Sequence, residues 1–396
     1  MSRTAFALFM VAISFGMLTA LVDVGQAAPT LKDRDLSTPL LEWSESKDLL
    51  GNEAHNPLVV NDMVIVGTDR GEVRAYRCKN GEVAWAHQHG QRVFHAPCSD
   101  GERVYFTSAN GVTAIAAKDG AELWNFGRAS CDGPSLVLSK RELVYVGGSD
   151  GKLYALNAKT GKQSWTSDFI TDAPADPPDF PGARARVGNT QARPSSLASD
   201  GETLFLSVFD QSRLVAVHAS DGKRLWSFQA GGWIYGAAVT TDKHVFIGSQ
   251  DKAFYCLDKQ TGKQVWSFRT QSRIESGGVV DARSVYFGSC DGNLYCLNQS
   301  DGKERWRFAT DANADGRKSA IYSVPILRRG GVCFAAGEGQ AYSVDCESGK
   351  LNWKFRPSDG SELFCSPATD GARIFVTSRT GLKGVGAPSL AAIGFK

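Results

Sequence analysis

Between Leu143 and Trp165 the apolar and polar positions follow the rhythm of extended chain, not of helix. Leu143 to Gly148 is a run of strand formers, and Ser149-Asp150-Gly151 is a hairpin turn. Lys152 to Asn157 then alternates polar and apolar, as a strand with one buried face does. Lys159-Thr160-Gly161 makes a second turn, and Lys162 to Trp165 opens another strand. A short apolar segment ahead of each such unit, as at Val279-Val280, supplies a fourth strand. No window of the chain sustains a helical period.

The unit recurs. Gly81 and Trp85, Gly120 and Trp124, Gly161 and Trp165, Gly222 and Trp226, Gly262 and Trp266, Gly302 and Trp306, and Gly349 and Trp353 share one spacing. With Trp43 added, most intervals between successive Trp residues are 39 to 42 residues. A period near that length indicates a solenoid, an array or a propeller, and four antiparallel strands per unit select the propeller blade. Seven units are complete. An eighth begins at Phe364-Cys365-Ser366-Pro367, continues through Arg373 to Val376, ends near Leu390 to Ile393 and has no Trp strand. The segment Leu40 to Trp43 is a Trp strand with no unit of its own. Joining the two fragments removes two open sheet edges. The expected fold is therefore an all-β, eight-bladed β-propeller of four-stranded antiparallel blades, with the N-terminal strand around Trp43 completing the last blade. Trp43, Trp85, Trp124, Trp165, Trp226, Trp266, Trp306 and Trp353 are structural docking residues: each packs between blades and offers its N–H to a backbone acceptor. The glycines supply the positive φ of the turn.

Composition narrows the picture. The chain has 396 residues, 42% apolar and 22% charged, with a net charge of +2, which is globular and carries no footprint for nucleic acid. Arg3, the uncharged run Ala5 to Val22 and the small residues Gly25-Gln26-Ala27 read as a signal peptide over residues 1–27. A polar linker over 28–40 follows, then the repeat domain over 41–396. The mature protein is expected in the periplasm or secreted, as a monomer without stable membrane insertion; the alternative is a signal anchor in the inner membrane. Nine cysteines include no C-x-x-C and no adjacent pair, and Cys256 and Cys296 occupy the small apolar position that Ala155 holds. They are expected to be buried free thiols.

The segments Ala155 to Trp165 (ALNAKTGKQSW) and Cys256 to Trp266 (CLDKQTGKQVW) resemble the tryptophan-docking repeats of the pyrroloquinoline-quinone-type propellers. That superfamily includes quinoprotein alcohol dehydrogenases and the BamB-like propellers of bacterial outer-membrane protein assembly. The resemblance extends over residues 41–396. It implies the ring and leaves the activity open. Quinoprotein dehydrogenases carry an adjacent Cys-Cys disulfide beside the quinone, which this chain lacks, and the BamB-like group carries a lipid-attachment Cys, also lacking here.

Chemistry is expected where the repeats differ, on the loops leading into each innermost strand. Those loops present His55, Arg92, His95, Arg193, Trp233, Tyr235, Arg273, Glu275, Tyr322 and Phe364 as candidate binding residues. Trp233 is the one Trp outside the repeat register. Two insertions interrupt the period. A Pro-rich one over 170–192 is either a partner-binding loop or a tolerated insertion. The other contains Asp311, Asn313 and Asp315 in a D-x-N-x-D-G run, a calcium-loop half that lacks the closing Glu because Tyr322 falls at its twelfth position. No motif supplies a nucleophile with an ordered base. The expected function is a non-catalytic exported scaffold, without cofactor, that binds a protein or peptide partner of the cell envelope through its rim and channel mouth. The alternative is a pyrroloquinoline-quinone- and calcium-dependent oxidoreductase, or a small-ligand- or carbohydrate-binding propeller.

Overall fold

The computed structural model describes residues 39–45, 56–68, 70–93, 96–127, 136–138, 142–168, 194–208, 211–312, 316–337, 339–357, 362–363, 365–378 and 389–395. The expected signal peptide, most of the linker and the 170–192 insertion lie outside them. The described residues form eight four-stranded antiparallel sheets, in seven of which the strands follow one another in sequence from the inside of the ring outward. Blade five is typical: Val239–Thr240, His244–Gly248, Ala253–Asp258 and Gln264–Arg269. The eighth sheet is the exception. Its outermost strand is Pro39–Glu45, paired with Leu390–Phe395 so that Trp43 faces Ala392. The ring is therefore closed from both ends of the chain, as the orphan Trp strand predicts. The strand starts at Pro39, two residues inside the expected linker. Arg373 of blade eight ties it down through Glu42 at 2.5 Å.

Burial follows from this geometry. Strands between two neighbouring blades lose water on both faces, so Ser284–Gly288 is buried at every residue. Outermost strands have one wet face, so Gln264–Arg269 has exposed residues interleaved with partly buried ones. The apolar clusters bridge blades. Trp85 of blade one packs with Val104, Phe106 and Ile115 of blade two. At the closure, Val64, Val66 and Tyr76 of blade one pack with Phe375, Leu390 and Ala392 of blade eight. Cys256 and Cys296 are fully buried and unpaired, and burial pushes their thiols up to about 12 and about 11.

The repeated Gly and Trp do not meet within one unit. Seven of the eight indoles lie on the glycine of the next blade, as Trp43 on Gly81, Trp85 on Gly120 and Trp226 on Gly262, while Trp353 packs on Phe395 of blade eight, where no turn joins the third and fourth strands. The seven docking glycines all have φ between 67° and 76°. A Cβ on any of them would stand 2.5–2.7 Å from the preceding blade's side chains, in every case including the indole. The glycine is thus required twice, by the turn and by the ring stacked on it. The indole N–H of Trp43, Trp85, Trp124, Trp226, Trp266 and Trp306 donates at 2.8–3.0 Å to a carbonyl just beyond the third strand of the next blade. For Trp353 the corresponding position is Lys396, outside the described residues. Trp165 differs from the expectation. Tyr145 Oη donates to Ala219 O at 2.8 Å, at the position the indole would use, and the buried Trp165 Nε1 has no partner.

Every outermost strand also carries a bulge next to its Trp. Cys256 pairs with Trp266 while Leu257 pairs with Gln264, and the shift recurs at the same place in the other blades. The extra residue turns the side chain two positions before the Trp toward the preceding blade, while the Trp faces the following one.

Two outcomes follow from this packing. Gly262→Ala should destabilise the protein by at least about 2 kcal/mol, since a left-handed non-Gly residue costs about 1–2 kcal/mol before the clash with Trp226 is added; urea unfolding measures it. Trp226→Phe should lower stability more than Trp165→Phe by about 1 kcal/mol, the worth of one hydrogen bond, because only the first loses one; equal losses would show that the indole N–H bonds contribute nothing.

Candidate functional site

Antiparallel order puts the lead-in loops and the turns between second and third strands on one face of the ring. The docking glycines, on the turns between third and fourth strands, lie on the other. The lead-in loops are held by an apolar anchor. Ile234, Ile274 and Ile321 are fully buried. The last two fill space left by glycines at the ends of the second strands: a Cβ on Gly248 would lie 2.3 Å from Ile274, and one on Gly288 would lie 2.2 Å from Ile321. Val93 uses Gly67 in the same way. With the middle residue of the loop turned inward, its two neighbours point outward. That places Trp233 and Tyr235 beside Ile234, Arg273 and Glu275 beside Ile274, and Tyr322 beside Ile321 on one rim over blades five, six and seven.

These five expected residues form one cluster. Arg273 Nε lies 2.6 Å from Glu275 Oε1, and Gln250 Nε2 donates to the same oxygen at 2.8 Å. Trp233 and Tyr235 stand edge to face with centroids 6.3 Å apart. Burial first, then the Glu275 charge, raises the Tyr235 hydroxyl. Tyr322 is raised by burial, Cys290 and Glu275, with Arg273 opposing. The Arg273 side chain also engages the Cys290 thiol, which burial and then Glu275 push up to about 11. Glu275 in turn raises Arg273.

Gln250 and Cys290 were not among the sequence candidates. Both sit in the turn between second and third strands, where Gly248-Ser249-Gln250-Asp251 and Gly288-Ser289-Cys290-Asp291 differ only at the third position. That single variable position in a fixed turn was the available signal. Their backbone N–H groups bond Trp233 O at 2.8 Å and Arg273 O at 2.9 Å, which locks the turns to the lead-in loops.

The other candidates are not part of this cluster. Arg92 is exposed on the loop entering blade two, across the ring from blade six. His55, His95, Arg193 and Phe364 lie outside the described residues, as do Asn313 and Asp315. Asp311 pairs with the Lys354 ammonium at 2.7 Å. A quinone held through calcium would need several oxygen ligands converging on the ion at about 2.3–2.6 Å. Glu275 is committed to a guanidinium and an amide N–H, and no three metal-ligating side chains converge on the rim among the described residues. The described rim residues do not fit that group.

Comparison with known proteins agrees with the ring. The profile of the family described as outer membrane protein assembly factor BamB matches residues 35–176 and 182–386. The outer membrane protein assembly factor BamB of Burkholderia pseudomallei is 28% identical over 221 residues, 52% of this chain and 53% of that protein. The quinohemoprotein alcohol dehydrogenase ADH IIB of Pseudomonas putida is 34% identical over 149 residues, 34% of this chain and 19% of that enzyme. The chain thus spans about half the length of the first relative and a fifth of the second. The crystal structure of BamB from Moraxella catarrhalis superposes with a TM-score of 0.66 at 18% identity, over 90% of this chain and 100% of that one, which shows the shared fold. A ring of eight blades held by indole-on-glycine docking, matched along nearly all of its length, places this chain in the PQQ-type propeller family described as outer membrane protein assembly factor BamB.

Proposed function

We propose that this chain is an exported, non-catalytic propeller scaffold that binds a protein or peptide partner of the cell envelope through the rim over blades five to seven. One observation carries the proposal: Trp233, Tyr235, Arg273 and Tyr322 converge on rigidly anchored loops. Trp, Tyr and Arg are the side chains whose truncation costs most at protein interfaces. The Arg273–Glu275 pair adds a fixed charge pattern that sets register against a partner. The anchors Ile234, Ile274 and Ile321 keep the loops ordered before binding, so little entropy is lost on association. The matched BamB of Burkholderia pseudomallei is named for outer membrane protein assembly, which favours an envelope protein as the partner class.

The same rim gives little support to catalysis. The Cys290 thiol is pushed up to about 11 and the Tyr235 and Tyr322 hydroxyls are raised, so none is a ready nucleophile or base near neutral pH. Glu275 is occupied by its ion pair with Arg273 and by the amide N–H of Gln250.

Two measurements test the proposal. Trp233→Ala and Arg273→Ala should each weaken capture of the envelope partner at least about tenfold, equivalent to about 1.4 kcal/mol, with melting temperatures near that of the wild type. Unchanged capture removes the rim as the interface. Pyrroloquinoline quinone and calcium added to the purified protein should give neither alcohol-dependent dye reduction nor a melting shift; turnover would replace the scaffold reading with an oxidoreductase.

A further inference from the structure

One outer strand places imidazoles where most blades have an apolar ring. Two residues after the docking Trp, blades two, four, five, six and seven carry Phe126, Phe228, Phe268, Phe308 and Phe355. Blade one carries His87 there, and His89 two residues further on, where blades five and six have Thr270 and Thr310. His87 lies on the same face of Val83–Gln88 as Trp85, so it is aimed at blade two. Glu122 meets it from the other side. It opens Glu122–Phe126, two positions before Trp124, and the bulge in that strand turns it back toward blade one.

The three side chains converge between the blades. One ligand atom from each of His87, His89 and Glu122 lies within 4.8 Å of the others. His87 Nε2 and Glu122 Oε2 are 3.9 Å apart, too far for a hydrogen bond. His87 Nε2 is buried and has no hydrogen-bond partner. Such an atom is costly to leave unsatisfied, and the Phe of the other blades would avoid the cost. Phe106 packs against both imidazoles, with centroids 6.0 and 5.1 Å away, and Ser108 Oγ lies 2.9 Å from His89 Nε2, so both rings are held in place.

We propose that His87, His89 and Glu122 form a zinc-type divalent metal site that clasps blade one to blade two. Two imidazoles and a carboxylate are donors for a borderline cation such as Zn2+, not for Ca2+ or Mg2+, which take oxygen ligands. Metal–ligand lengths of about 2.0–2.1 Å put tetrahedral ligands about 3.4 Å apart. The ligand atoms lie within 4.8 Å of one another, so closing the site needs a movement of about half an ångström between His87 and Glu122 and of at most about 1.4 Å overall. Glu122, with its side chain 49% exposed, is the group able to make it. The metal would satisfy His87 Nε2 and join two outer strands that share no hydrogen-bonded ladder. With three protein ligands it would keep a fourth position for water or for a side chain of a partner.

The experiment uses the untagged protein, stripped with chelator and titrated with zinc chloride by calorimetry and thermal melting. One zinc per chain should bind in the micromolar range or tighter and raise the melting temperature by about 2 °C or more. Calcium and magnesium should give no shift. Cobalt in place of zinc should produce the visible bands of a four-coordinate ion. His87→Phe, His89→Thr and Glu122→Gln each install the residue that other blades carry, so the ring should fold in all three. Each should weaken zinc binding at least tenfold and abolish the melting shift. Absence of binding, binding undiminished in His87→Phe, or an equal response to calcium would overturn the proposal.

Discussion

The structure depends on one contact repeated around the ring: an indole of one blade lying on a glycine of the next. The contact has no tolerance for a side chain, because the glycine holds a left-handed φ and a Cβ there would overlap the indole. It fixes the spacing between blades, and most of the indole N–H bonds fix their relative height. With the frame set in this way, the inner strands can be buried on both faces and read as nearly unbroken apolar runs. The outer strand keeps one wet face, and its bulge divides its side chains between the preceding and the following blade.

That rigid frame leaves the lead-in loops free to differ. The loops entering blades five to seven spend their middle residue on an apolar anchor and turn the flanking two outward, so this arc of the ring displays pairs of variable side chains at fixed intervals. Blades five to seven use this display to bring aromatic groups around one Arg–Glu pair. The histidines of blade one show a second kind of departure, made within the docking face itself. There the chain gives up a Phe contact for two imidazoles and leaves a ring nitrogen without a partner.

Much of this was legible in the sequence. The forty-residue period, the strand alternation and the unpaired Trp43 led to eight blades and to closure by the N-terminal strand. The register of docking was not legible. Gly and Trp share a unit in the sequence but partner across units in space, and only the arrangement of the blades reveals that. The missing bond of Trp165 was equally hidden, because the carbonyl at the docking position, Ala219 O, accepts from Tyr145 and lies 54 residues further along the chain than Trp165, beyond the insertion. Trp233, Tyr235, Arg273, Glu275 and Tyr322 stood out as variable loop residues, but their convergence depends on the anchors Ile274 and Ile321 and on three consecutive blades. Gln250 and Cys290 were concealed inside turns that look structural. His87 was visible as a replaced Phe and His89 as a replaced Thr, yet they lie on and just past an outer strand, away from the variable lead-in loops.

The closure of the eighth blade bears on how the molecule comes into being. Pro39 pairs with Phe395, so the first described strand meets its partner only after the strands of the seven other blades have been made. Until residues 390–395 have emerged, blade one can form its own sheet but Gly81 has no docked indole to receive, and both Trp43 and the inner edge of the Pro39–Glu45 strand are uncovered. An uncovered strand is a template for pairing with another chain. Ring completion is therefore the most non-local step available to this protein, and loop-closure entropy makes such steps slow. The seam that finishes the ring is also the place where two unfinished chains would exchange strands.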